Sequence, residues 1–454
     1  MPAQDVTVAL VHLGCARNLI DSESILGRLG AEGFTLSASV EGADVAVLNT
    51  CSFIGPARAE SEAWIGDLLA QKAAGNLRGV VVVGCLPEKF REDIEARFPA
   101  VDAFLGLSDY SNIARVVETV LKGRKVRPGD GGRPVRTQAE GPRLLQTPRS
   151  FAYLRPSNGC DHNCAFCIIP AIRGRQRSKS LDTAAAEAAE LVGAGVREIV
   201  LVAEDSTGYG TDLGADGPRL PELVERLADT DGLRWLRVMY AYPNAFPWRL
   251  TDLLREHPRV VPYLDIPIQH VSTPVLKRMR RGGNRESVIR ILERLREEVP
   301  GIALRTTVLV GHPGEGHDEF VELLEFLDEF RFERLGAFAF SPEPGAPAAD
   351  DPERCAEDEA QERLAALMEQ QAEIHAGLQA SRVGESIEVL VDAREGDWAV
   401  ARSAADAPEV DGLVRVHDPE AALACGDMTV VQATEAQGYD LLARPLVAGA
   451  PAGS

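Results

Sequence analysis

Short apolar runs alternate with amphipathic stretches along most of this chain, and the period of the apolar positions changes twice. Up to about residue 100, runs at 5–14, 44–49 and 80–84 are short and evenly apolar, and read as buried strands. Residues 18–31, 60–72 and 89–97 between and after them carry helical spacing. Strands alternating with helices predict a parallel, doubly wound sheet. Residues 122–148 break the pattern with Gly123, Pro128, Gly129, Gly131, Gly132, Pro134, Gly141 and Pro142, and read as a linker.

After an extended segment at 151–155 the alternation resumes. Helices at 183–193, 220–228, 248–256, 285–299 and 318–330 interleave with strands at 198–202, 233–239, 263–268, 303–310 and 334–340. Counting the first strand, that makes about six β/α units, two short of a closed barrel, so an open partial (β/α)6 barrel is expected. Residues 357–380 form an Ala/Gln/Glu-rich helix expected to be a connector. Beyond residue 381, short runs at 386–391, 398–402, 412–416, 428–433 and 439–443 predict a small antiparallel, OB-like β-barrel. The tail at 447–454 is Ala/Gly/Pro-rich and expected to be disordered. The predicted organisation is a multidomain α/β chain: 1–140, 146–378 and 381–446.

Composition narrows what these units do. The 454 residues fit about three domains. No apolar run reaches the roughly 18 residues of a membrane span, and residues 1–5 do not open like a signal peptide, so a cytoplasmic location without membrane contact is expected. In a reducing compartment the eight cysteines point to metal ligation rather than disulfides. A net charge of −21 disfavours nucleic acid as the direct substrate and favours a small molecule or a basic protein.

The cysteines supply the chemistry. Cys160, Cys164 and Cys167 stand at C-x3-C-x2-C spacing. Thiolates this close can hold three corners of one iron–sulfur cube, leaving one iron open to a non-protein ligand. A zinc knuckle or a buried apolar group is the competing reading, but no local fourth ligand completes a zinc site, and His162 inside the loop is poorly placed to do so. Cys15, Cys51 and Cys85 each follow a predicted strand of the first unit. Ligands of open α/β sheets bind beyond strand carboxyl ends, so these three point at one place and at a second cluster. In the central unit, Glu204-Asp205, residues 240–243, Gln269-His270 and residues 311–314 fall at the corresponding ends. The basic run Arg173, Arg175, Arg177 and Lys179 reads as a solvated face or as a contact for a small-molecule cosubstrate or an acidic substrate loop, and Cys355 and Cys425 as packing residues.

An open iron can chelate an amine and a carboxylate, which S-adenosylmethionine offers on one end. The C-x3-C-x2-C loop, with Phe166 between its last cysteines, resembles the signature of the radical SAM superfamily. The three-unit order resembles its methylthiotransferases, whose terminal barrel is of the TRAM type. The wording at 12–23, 49–54, 60–61, 263–270, 305–307 and 341–345 is similar to the branch that acts on a ribosomal protein. That resemblance implies methylthiolation of an aspartate β-carbon in small-subunit protein uS12. It implies two 4Fe–4S clusters, a reducing electron donor, a sulfur source and two S-adenosylmethionine molecules per turnover. One molecule would methylate a sulfur held at the Cys15/Cys51/Cys85 cluster; the other would be cleaved to a radical at the catalytic Cys160/Cys164/Cys167 cluster. Phe166, Glu204, Gln269, Arg305 and Gly311 become candidate S-adenosylmethionine contacts. Two departures stand out: Glu204 replaces the family's usual glutamine, and Lys179 a common arginine.

Residues 381–445 hold thirteen acids and five bases, a net of −8. Such a barrel would repel RNA and attract a basic ribosomal protein, which disfavours the tRNA-modifying branch. A non-catalytic iron–sulfur electron carrier is the other alternative, disfavoured because carriers complete four-cysteine ligand sets.

Overall fold

The computed structural model describes residues 5–107, 109–126 and 140–446. The first unit runs β1 (Thr7–His12), α1 (Ala16–Ala31), β2 (Thr35–Ser37), β3 (Val45–Thr50), α2 (Gly55–Ala73), β4 (Gly79–Gly84), α3 (Cys85–Lys89), α4 (Arg91–Arg97), β5 (Ala103–Leu105) and α5 (Ile113–Leu121). Its parallel sheet has the order β2-β1-β3-β4-β5. β3 and β4 are buried along their whole length because helices cover both faces, which is why they read as unbroken apolar runs. β2 and β5, three residues each, are too short to show a period and were not expected. The helix expected at 89–97 is two short helices, α3 and α4, parted at Phe90.

The second unit runs β6 (Phe151–Leu154), β7 (Ser157–Asn158), α6 (Ile169–Arg173), β8 (Arg177–Ser178), α7 (Leu181–Gly193), β9 (Glu198–Leu201), α8 (Leu220–Ala228), β10 (Trp235–Val238), α9 (Arg249–Glu256), β11 (Val260–Asp265), α10 (Thr273–Arg278), α11 (Arg285–Glu298), β12 (Ala303–Val310), α12 (His317–Phe330) and β13 (Arg334–Ala339). Six parallel strands in the order β6-β9-β10-β11-β12-β13 make an open half-barrel, as the alternation predicts. α13 (Glu357–Ser381) is more than a connector. Leu367, Ile374, His375 and Gln379 are buried, with Gln371 donating to Phe332 O and Gln379 to Tyr439 O.

β14 (Ser386–Glu395), β15 (Trp398–Ser403), β16 (Val414–His417), β17 (Met428–Gln437) and β18 (Asp440–Pro445) close a barrel in the order β14-β15-β16-β18-β17. It is not wholly antiparallel: β16 and β18 run parallel. Five strands cannot close a ring by alternating direction, so one parallel pair is unavoidable. Among the described residues no helix is long and apolar enough to cross a membrane. The tail at 447–454 and linker residues 127–139 lie outside the described residues.

The units are fastened by buried charge. At the first seam Arg155 lies 2.8 Å from both Asp21 and Glu140, and Arg173 lies 3.1 Å from Asp21. Lys179, fully buried, is 3.0 Å from Glu140 and 2.5 Å from Glu187. The basic run is therefore not a single solvated face: Arg173 and Lys179 are buried in this network, while Arg175 is exposed and pairs outside it with Asp161 at 2.9 Å.

At the second seam, residues 402–411 lie along the inner side of the half-barrel, and every strand of that sheet reaches them. Tyr153 donates to Glu409 at 2.7 Å, Glu198 accepts from Arg402 at 2.6 Å, and Arg237 donates to Ala404 O at 2.7 Å. Tyr263 donates to Asp411 at 2.7 Å, Arg305 lies 3.5 Å from the same carboxylate, and Arg334 pairs with Asp406. A closed eight-stranded barrel fills its interior with its own side chains. The terminal barrel does that work for these six strands.

Candidate functional site

Sheet topology brings the strand-end cysteines together. β1 and β3 are neighbours at the point where the strand order reverses, and doubly wound sheets bind ligands in the crevice beyond that switch point. Cys15 follows β1, Cys51 follows β3, and Cys85 follows β4 beside it. Gly14 and Gly84 precede two of the cysteines with φ of +103° and +104°. A Cβ on Gly14 would stand 2.9 Å from Cys51 Cβ, and one on Gly84 2.5 Å from Asn49 Oδ1, so only glycine allows the approach. Ser61 fixes Cys51 by accepting from its N–H at 3.2 Å and donating to its carbonyl at 2.8 Å.

These thiols sit in different fields. Burial pushes Cys85 up to about 12 and raises Cys51 as well. Burial also opposes ionisation of Cys15, but the Arg17 and Arg173 guanidiniums outweigh it and hold that thiol below its ordinary value. Arg173 Nη2 approaches Cys85 Sγ at 3.9 Å.

The second trio lies on the loop after β7, stitched into the half-barrel at several points. Cys160 N–H donates to Gly174 O at 3.1 Å, and Ala165 bonds Met279 O at 2.9 Å while accepting from Ala348 at 2.8 Å. Gly159 has φ +81°, and a Cβ there would stand 2.5 Å from Arg175 O. Burial raises Cys160 to about 12 and Cys167 to about 11. Arg281 Nη1 lies 3.7 Å from Cys164 Sγ. His162 is engaged elsewhere, 2.7 Å from Asp205 and stacked on Tyr242 with ring centroids 3.7 Å apart.

One cavity of about 390 Å³ touches both trios: Cys160, Cys164 and Cys167 line it, and so does Cys15. Phe166, Glu204, Gln269 and Arg305 line it too, whereas Gly311 does not. Gly311 borders a separate hollow of about 480 Å³ with Cys355, and its N–H is taken by Glu315 at 2.9 Å. His270 is fully buried, accepts from Ser272 N–H at 2.9 Å and lies 3.6 Å from Glu315, outside the cavity. Gln269 holds a left-handed backbone with φ +69°, a strain tolerated where surrounding contacts over-determine the geometry. Glu204 accepts from Gly159 N–H at 3.0 Å, and its other oxygen, without a hydrogen-bond partner, lies between Arg17 at 3.9 Å and Arg173 at 3.5 Å. The acid at the family's amide position is thus balanced by two guanidiniums. Arg17, Tyr240, Tyr242 and Arg281 also line the cavity. Residues 240–243 stood out as a strand end, but Arg281 follows α10 with no sequence signal.

Cys355 and Cys425 do not behave as packing residues alike: the first is half-buried and the second exposed. Among the described residues no three His, Cys, Asp or Glu side chains converge as they would about a single ion. A four-iron cube differs, because each thiolate takes a separate iron. The donor set fits such a group: soft thiols without a fourth local ligand, glycine cradles behind both trios, and buried guanidiniums to offset anionic charge.

An open half-barrel with a three-cysteine loop over its cavity defines a radical SAM enzyme, which brings a 4Fe–4S cluster and S-adenosylmethionine with it. The profile described as Radical SAM superfamily matches residues 154–327, that of Uncharacterized protein family UPF0004 residues 7–106, and that of the TRAM domain residues 383–446. The ribosomal protein uS12 methylthiotransferase RimO of Anaeromyxobacter sp. is 44% identical over 438 residues, covering 96% of this chain and 92% of that protein. RimO of Geotalea uraniireducens is 41% identical over 439 residues, covering 96% and 97%. In fold alone, the radical S-adenosylmethionine methyltransferase TsrM of Kitasatospora setae, with cobalamin and a 4Fe–4S cluster bound, superposes with a TM-score of 0.54 at 16% identity, covering 77% of each chain. The chain belongs to the RimO family of ribosomal protein uS12 methylthiotransferases.

Proposed function

We propose that this chain methylthiolates the β-carbon of an aspartate in ribosomal protein uS12, converting it to 3-methylthioaspartate. The observation that carries the reading is the shared cavity: a single space is bordered by the three-cysteine loop and by Cys15 of the strand-end trio. Cys160, Cys164 and Cys167 would hold one 4Fe–4S cluster, and Cys15, Cys51 and Cys85 a second. When bound, the first supplies the electron that breaks S-adenosylmethionine to a hydrogen-abstracting carbon radical, and the second the sulfur to be transferred.

The chain's own residues bind, orient and shield. Phe166 is the cavity aromatic inside the three-cysteine loop and would sit against the adenine. Gln269 and Arg305, with Thr307 beside them, offer polar groups for the methionine end, the ribose or the substrate carboxylate. Arg305 is held between Asp265 at 3.0 Å and Asp411 at 3.5 Å, which fixes its guanidinium at the cavity wall where it would face an anionic group. Glu204 fixes the loop through Gly159. Residues 402–411 cover the inner face of the half-barrel and would shield it from bulk water.

A basic protein suits this surface. Glu385, Glu388, Glu395, Asp397, Glu409, Glu420, Asp427 and Glu435 of the terminal barrel are exposed, whereas Arg402 is buried. Asp406 and Asp418 are buried in ion pairs, so not all of the −8 faces solvent. The test is anaerobic reconstitution with iron and sulfide, then reduction with S-adenosylmethionine and uS12. About eight irons per chain, 5′-deoxyadenosine and uS12 heavier by a methylthio group are expected. Zinc in place of iron, or transfer to tRNA instead of uS12, overturns the reading.

A further inference from the structure

Eight large apolar side chains are strongly exposed among the described residues, and three of them stand on the rim of the one cavity that joins the trios. Phe53 (38% exposed) follows Cys51 in the first unit, Phe338 (53%) lies on β13, and Val410 (47%) belongs to the terminal barrel. Each unit of the chain therefore places one exposed apolar group at the same mouth. Scattered surface hydrophobes need no explanation, but apolar groups gathered at a binding cleft mark an interaction site.

Val410 is held there at a cost. Glu409 before it has a left-handed backbone with φ +67°, unfavourable for a side chain with a Cβ. Its carboxylate is fixed by Tyr153 at 2.7 Å, while Asp411 on the other side is fixed by Tyr263 at 2.7 Å and Ala407 N–H at 2.8 Å. Contacts on both flanks thus impose the turn that presents Val410 outward.

We propose that Phe53, Phe338 and Val410 form an apolar collar that grips an apolar residue flanking the target aspartate on a protruding loop of the basic substrate protein. The assignment rests on the function proposed above. Charge favours a protein loop over a nucleobase as the occupant: the chain carries −21, and Glu409, which precedes Val410, is exposed together with seven further acids of the terminal barrel. The collar takes the flanking side chain, the acids outside meet the loop's basic neighbours, and the aspartate is carried inward past Arg305.

The test uses the full chain with its clusters and measures initial rates against uS12 concentration. Phe338→Ser and Val410→Ser, both on exposed groups, are expected to raise KM for uS12 by about five- to tenfold each, the size expected for losing roughly half of a large side chain's burial. Iron per chain and kcat at saturating uS12 report whether the interior is intact. Serine replacements on either side of the aspartate in uS12 should raise KM equally for the wild type and add nothing in the double variant. If the wild type transfers to uS12 and the variants keep its KM, the collar falls while the function stands. If the wild type adds no methylthio group to uS12, both fall, and transfer to tRNA that the collar variants lose overturns the protein-loop assignment.

Discussion

The two cysteine trios hold the same number of thiols by opposite means. The loop trio is local: eight consecutive residues, from Cys160 to Cys167, carry all three, and hydrogen bonds to Gly174, Met279 and Ala348 set their frame. The strand-end trio is dispersed over 71 residues, from Cys15 to Cys85, and exists only because β1, β3 and β4 are adjacent and in register. Its electrostatics are uneven too, with Cys15 lowered by two arginines beside a Cys85 raised by burial. A local trio needs a well-shaped loop; a dispersed one needs a finished fold. On the function proposed above, the local trio would hold its cluster fixed against the half-barrel for radical generation, and the dispersed one would bring sulfur to it from a separate unit.

The largest effects come from breaking each trio in turn. Cys160→Ala should leave about four irons per chain and abolish 5′-deoxyadenosine formation. Cys85→Ala should leave the same iron count yet keep 5′-deoxyadenosine formation, with no methylthio product on uS12. Equal losses of both activities in both variants would show that the trios hold one shared group. Gly84→Ala should reproduce Cys85→Ala without touching a ligand, because its Cβ would collide with Asn49 Oδ1 and with the Thr50 carbonyl and amide. Full iron content in Gly84→Ala would remove the steric argument for the dispersed trio.

Much of this was legible in the sequence, and the reason differs by feature. The loop trio is a spacing, so it could be read directly. The dispersed trio needed an inference of topology, possible because three apolar runs each end in a cysteine. The half-barrel's six strands follow from period alone. What could not be read was pairing across units. Arg173 and Lys179 look like part of a surface run, yet burial against Asp21, Glu140 and Glu187 depends on which surfaces meet. Nothing in residues 402–411 announces that they face six strands of another unit. Gly311 was placed by its strand-end position, and α13 beside it changes what it borders: a Cβ on Gly311 would stand 2.6 Å from Ala360.

The next effect down is on the seam that sets the trios' spacing. Lys179→Met leaves Glu187 buried without its cation and Glu140 with Arg155 alone, and should cost about 3–5 kcal/mol in denaturant unfolding. Both trios should keep their iron in the surviving folded fraction, while transfer falls more than radical formation. Acid probes the same seam. The Arg155 and Lys179 charges outweigh burial and hold Glu140 well below the usual carboxylate range, so its folded pKa lies beneath its unfolded one. Its contribution is complete above the unfolded value of about 4.3 and is lost as pH falls through the folded one. Unfolding midpoints should therefore drop below about pH 4, and by less in Glu140→Gln, which has no such proton to gain.

The smallest expected effect is the most exacting for the comparison, since both trios are read as lacking a fourth thiolate. Cys425 is exposed, and Cys355 borders the hollow beside Gly311 rather than the cavity between the trios. Burial and the neighbouring Glu359 carboxylate raise Cys355 to about 11, which disfavours the thiolate a cluster would need. Cys355→Ser and Cys425→Ser should each leave iron at about eight per chain and 5′-deoxyadenosine formation within about twofold of wild type. Loss of four irons in either variant would mean that one cluster is closed by four cysteines. That cluster would then have no iron free for S-adenosylmethionine or sulfur, and the symmetry of two open sites would fail.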